Sequence, residues 1–144
     1  MSNIENLELA GSYREILRQA LYVVRSIDAD GELSTAQTST LNMLAAAPQR
    51  ISLIARNAGI RVPSATEQVT KLATAGLVER VPSNTDFRVV EVRLTTKGRQ
   101  ALDAANLRRN KTMAQAFESL SAHELESIKL AIPAIEKLNE ALSP

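Results

Sequence analysis

The run 54-IARNAGIRVPSATEQVTKLATAGLVER-80 decides how this chain folds. A short apolar segment, Ser52 to Ala58, stops at Gly59, the residue type that takes a left-handed helix cap at least cost. Pro63 opens a second segment, where its missing N–H removes no intrahelical bond. There Ala65, Val69 and Leu72 are spaced by four and three, so they share one inward stripe, and the helix is expected to run to about Ala75 and stop at Gly76. A short helix, a turn around a glycine and a longer helix make a helix-turn-helix.

The chain continues as 77-LVERVPSNTDFRVVEVRL-94. Val90, Val92 and Leu94 alternate with Glu91 and Arg93, a period of two that marks a strand. PSNTD is a turn cluster, so residues 78–82 and 89–94 read as a β-hairpin. A hairpin directly after the second helix of a helix-turn-helix is a wing.

Outward from this centre the chain is helical. Tyr13, Ile16, Leu17, Ala20, Leu21, Val24 and Ile27 predict a helix over about residues 8–27, closed by the DADGE stretch Asp28 to Glu32. Ser34 caps a second helix that carries Leu41 and Leu44 inward and ends near Ala47, before Pro48. Thr95 or Thr96 caps a long helix from about Lys97 to Phe117. Ser121 and Glu124 form a capping box for the last helix, with Pro133 expected to kink it. The expected fold is mostly α, strictly α+β, with residues 1–33 an N-terminal dimerisation helix, 34–98 the winged helix-turn-helix and 99–144 C-terminal dimerisation helices. The terminal stripes are too long for a small core to cover, and a symmetric dimer with interleaved ends covers them most simply.

Of the 144 residues, 44% are hydrophobic, only 3% aromatic and none cysteine, which excludes disulfides and thiolate metal sites. One histidine, His123, is too few for a histidine metal site, and no nucleophile, base and acid fall into a catalytic pattern. Neither an enzyme nor a cofactor nor a metal is expected. No basic-then-apolar leader and no apolar run of about 18 residues occurs, so no membrane partner is expected and the chain is placed in the cytoplasm. The net charge of +1 hides an uneven spread: residues 1–33 hold three basic and six acidic side chains, 34–98 eight and four, 99–144 six of each. The positive excess lies on the helix-turn-helix, which favours a polyanion there.

The ordered set Gly59, Pro63, Gly76, Asp86, Arg88, Leu94, Thr95 and Gly98 resembles the helix-turn-helix and wing of MarR-type regulators, the multiple-antibiotic-resistance regulator family. The likeness extends through 33-LSTAQTSTLNML-44 and 117-FESLSAHELESIKLAI-132, nearly the whole chain. The resemblance implies a homodimer on a pseudo-palindromic double-stranded DNA operator, usually as a repressor. It also implies release by a small aromatic or phenolic effector bound between the dimerisation helices and the winged domain, here expected near Tyr13, Leu17 and the second helix.

Within that frame the recognition helix begins at Arg61 or Val62 and turns Val62, Pro63, Ser64, Thr66, Glu67, Thr70 and Lys71 outward. Ser64 and Thr66 can bond base edges or phosphates, Val62 can meet a thymine methyl, and Lys71 suits a phosphate. Ser52, with the N-terminus of its helix, is a further phosphate contact, and Arg50 adds charge. Arg88 matches the family's minor-groove arginine and Asp86 the acid that orients it. Three positions depart from the family pattern. Arg61 replaces the usual Ser or Thr cap, and Phe87-Arg88 replaces two arginines, with Phe87 free to pack under the wing or touch sugars. Glu67 stands where arginine is common, so it must accept from a cytosine amino group or pair with Arg61 or Lys71 to sit near phosphates. These departures keep two other readings open: a weakly specific or effector-independent DNA-binding dimer, and a winged helix that binds a protein partner.

Overall fold

A computed structural model describes residues 1–143 of the chain. Six helices and one hairpin follow in the order α1 (Asn3–Ala29), α2 (Thr35–Met43), α3 (Ile51–Ala58), α4 (Val62–Thr74), β1 (Val78–Pro82), β2 (Val90–Leu94), α5 (Thr96–Phe117) and α6 (Ala122–Leu142). The mostly helical winged helix-turn-helix expected from the sequence is the fold observed.

Its core gathers where the inward stripes meet: Leu41 from α2 and Leu44 just after it, Ile54 from α3, Val69 and Leu72 from α4, Val78 and Val92 from the strands, and Leu102 from α5. Ala65 and Val69 are fully buried and Leu72 nearly so, as the four-and-three spacing requires. Each fully buried aliphatic side chain of this kind contributes roughly 1.5–3 kcal/mol of transfer free energy. β1 and β2 pair antiparallel, with Val78 opposite Leu94 and Pro82 opposite Val90.

The boundaries differ from the expected ones for local reasons. α1 starts at Asn3, not near residue 8, because Ser2 and Glu5 form a reciprocal capping box ahead of the apolar stripe. That bonding also holds the Glu5 carboxyl below its usual value. At its other end α1 runs on to Ala29. Asp28 is not a turn residue; it is buried and bonded to Arg109 of α5, Nε to Oδ1 at 2.8 Å and Nη2 to Oδ2 at 2.5 Å. α2 stops at Met43 with Leu44 as its cap, short of Ala47. β2 starts at Val90 because the Val89 N–H closes the turn onto the Asp86 carbonyl at 3.0 Å. α6 continues through Pro133 to Leu142.

Gln49 was legible only as loop, yet it pairs with Val92 through two backbone bonds of 3.0 and 2.8 Å. This bridge ties the approach to α3 onto the wing strand β2. The ends of the molecule are packed far less: α6 buries none of its residues, and the only buried residue of α1 is Asp28.

Candidate nucleic-acid interface

α4 leaves the α3 turn at Gly59, whose φ of 66° is the left-handed conformation a side chain resists. Arg61 is its N-cap and makes no side-chain capping bond, so the first amides of α4 lack the usual hydroxyl partner. Val62, Pro63, Ser64, Thr66, Glu67, Thr70 and Lys71 are all exposed, while Ala65, Val69 and Leu72 point inward. The threonine hydroxyls are engaged within the helix: Thr66 donates to the Val62 carbonyl at 3.0 Å and Thr70 to the Thr66 carbonyl at 2.8 Å. Glu67 pairs with Lys71 one turn on, at 3.2 Å, with about 70% of each side chain in solvent. Of the two partners the sequence allowed, Lys71 is the one it takes. An exposed pair of this kind stabilises the helix by only about 0.3–0.5 kcal/mol, so its weight lies in placing charge.

Arg80 of β1 was not singled out by the sequence. Its Nη2 donates to the Thr70 hydroxyl at 2.9 Å, bridging the sheet to the outer face of α4. Periodicity could not place it there, because the contact joins a strand to a helix ten residues earlier. Ser52 lies in the first turn of α3, exposed, with Arg50 as the N-cap and no side chain bonded to the helix end.

The wing is a hydrogen-bonded tip. Ser83 N–H donates to the Val89 carbonyl at 2.8 Å, and Thr85 N–H to the Ser83 hydroxyl at 3.2 Å. The Asp86 carboxylate accepts from both the backbone N–H and the Nε of Arg88, each at 3.1 Å. These bonds from Arg88 hold the Asp86 carboxyl below its ordinary value, and the charge of Arg50 adds to the effect. The Arg88 side chain is still 90% exposed, so Asp86 aims the guanidinium without covering it. Phe87 is 83% exposed and does not pack under the wing. A held, open cation at a hairpin tip is the shape that enters a narrow, negative groove.

Residues 33–90 match the model of the MarR family. This winged helix is a MarR-family domain. Among solved structures, the chain is similar to the transcriptional regulator BldR from Sulfolobus solfataricus, 27% identical over 99% of both chains with a TM-score of 0.74. It shares its fold with a MarR family protein from Bacillus stearothermophilus, at 21% identity, 100% and 99% coverage and a TM-score of 0.77. It also shares it with wild-type MarR from E. coli, at 20% identity, 87% and 95% coverage and a TM-score of 0.75.

The end of α1, the loop after it and α5 enclose a cleft of about 320 Å³ lined by Asp28, Gly31, Glu32, Leu33, Ala101, Ala104, Ala105 and Arg108. Tyr13 and Leu17 sit about one turn apart farther up α1 and do not line it. Among the described residues, no helix is long and apolar enough to cross a membrane, and no cluster of three potential metal ligands occurs.

Proposed function

We propose that this chain is a homodimeric, sequence-specific DNA-binding transcription regulator, acting as a repressor on a pseudo-palindromic operator. The observation that carries the reading is the Arg88 guanidinium, aimed by Asp86 and open to solvent, on a MarR-family winged helix whose α4 exposes Val62, Ser64, Thr66 and Glu67. In this reading α4 lies in the major groove, Arg88 in the adjacent minor groove, and Ser52, Arg61 and Lys71 on phosphates. Pairing of two chains is supported by apolar side chains left in solvent on the terminal helices, among them Leu7, Ile16, Leu130, Ile132 and Leu142. Their natural cover is the same helices of a second copy. The division into dimerisation helices at 1–33 and 99–144 around a DNA-binding unit at 34–98 belongs to this proposal. The buried apolar core supports it by spanning only Leu33 to Leu102. Release by a small aromatic or phenolic acid completes the reading. The cleft between the loop after α1 and α5 has a volume within the range of small-ligand sites and Arg108 in its wall.

Gel shifts on the DNA upstream of the chain's own coding region, repeated over a salt series, test the reading. The wild type is expected to prefer that DNA over random duplex by at least about a thousandfold. Arg88→Ala is expected to weaken binding and to lower the slope of log K against log salt by about 0.9 for each wing. An unchanged slope removes the wing from the interface. A specificity ratio near one favours the weakly specific dimer, and no binding even at low salt favours a protein-interaction module.

A further inference from the structure

Resting on the DNA-binding reading above, we propose that Glu67 determines the specificity of α4 by accepting a hydrogen bond from the N4 amino group of a cytosine in the major groove. Val62, Thr66 and Thr70 form one stripe at a spacing of four. The protons of both threonine hydroxyls are committed to carbonyls of their own helix at 3.0 and 2.8 Å, and the Thr70 oxygen also receives Arg80. With those protons used, the stripe offers methyl groups that suit thymine methyls and no free donor for guanine.

The strong polar group beside the stripe is the Glu67 carboxylate. Lys71 holds it at 3.2 Å, and both side chains remain about 70% exposed. The ammonium offsets the charge that would otherwise be repelled by phosphates. It stands against Oε1 alone, leaving the acceptor positions of Oε2 to face a base. A carboxylate can only accept. Guanine presents two acceptors in the major groove, O6 and N7, so it is rejected. Adenine presents its N6 donor beside the N7 acceptor, which repels the second carboxylate oxygen. Cytosine presents the N4 amino group without an adjoining acceptor on the same ring edge, and it is the base a carboxylate selects. A glutamine at this position has a donor and an acceptor, the pair that matches adenine N6 and N7.

Enrichment of a random duplex library by the purified wild type, Glu67→Gln and Glu67→Ala tests this directly, since an exposed helix position leaves the fold intact. The wild type is expected to favour cytosine at one position in each half-site by roughly tenfold. Glu67→Gln is expected to move that preference to adenine, and Glu67→Ala to abolish it, with the other positions unchanged. Identical motifs from all three proteins overturn the proposal and leave the operator reading standing, with Glu67 reduced to a surface ion pair. A Glu67-sensitive position at which the wild type selects any other base overturns the cytosine assignment. A wild type that enriches no sequence overturns both.

Discussion

Gly98→Ala is expected to destabilise the folded chain by about 3 kcal/mol or more, lowering the midpoint of thermal unfolding by on the order of 10 °C. Gly98 lies in the first turn of α5, where alanine would by propensity alone gain up to about 1 kcal/mol. The loss comes from outside the helix. A Cβ at this position would lie 1.8 Å from the carbonyl oxygen of Leu77 and 2.8 Å from its carbon, both backbone atoms that cannot swing aside. The contact is fixed by a local bond network. Thr95 N–H donates to that Leu77 carbonyl at 3.1 Å, Thr95 Oγ1 donates to the Gly76 carbonyl at 2.6 Å, and Gly98 N–H donates to Thr95 Oγ1 at 3.0 Å. α5 is thereby clamped to the start of β1, and a methyl group must break the clamp. Thermal unfolding followed by circular dichroism reads the outcome. A variant as stable as the wild type would show that the close approach of α5 and β1 is not maintained in solution.

Asp28→Ala is expected to cost about 3 kcal/mol. It removes the partner of an Arg109 side chain that is only 16% exposed and takes from Thr35 Oγ1 an acceptor at 2.6 Å. An unpaired, largely buried guanidinium costs more than the ion pair itself contributes. Asp28→Ala combined with Arg109→Leu is therefore expected to be less destabilising than the two single changes added together. The pair also sets a pH dependence. The hydrogen bonds from Arg109 hold the Asp28 carboxyl below the usual carboxylate value, outweighing the opposing effect of burial. Its stabilisation is complete above the unfolded-state value of about 4 and is lost as pH falls through the lower folded-state value. Urea midpoints measured from pH 7 to pH 3 should show that acid loss in the wild type and a smaller loss in Asp28→Asn. Equal pH profiles would show that the carboxylate is not ionised against Arg109. Because Asp28 is on α1, Thr35 on α2 and Arg109 on α5, the same network joins the terminal helices to the winged helix.

How much of this was readable from the sequence depends on the range of the interaction. The inward face of α4 was legible because Ala65, Val69 and Leu72 need only helical spacing to be placed. The Glu67–Lys71 pair was legible as one of two choices, since four residues along a helix bring side chains together. The wing's Asp86 and Arg88 were legible from the turn and from the family resemblance, and their bond spans two residues. Asp28 was not: within DADGE it reads as a turn residue, and its burial depends on an arginine 81 positions away. Gln49 was missed for the same reason. Its partner Val92 lies across the whole helix-turn-helix, and AAAPQ has no alternation to mark a strand. The Leu77–Gly98 contact was legible only as a glycine in a motif, without its cause. Contacts that depend on tertiary closure leave little trace in local pattern.

Two reading heads on one operator require two chains to pair through their terminal helices. Sedimentation equilibrium of the purified chain at low micromolar concentration, alone and with an enriched duplex, tests this most directly. The expected result is a single species of twice the 15.6 kDa chain mass, and a complex with two chains on each duplex. A stable 15.6 kDa protomer that binds duplex one chain at a time would contradict it.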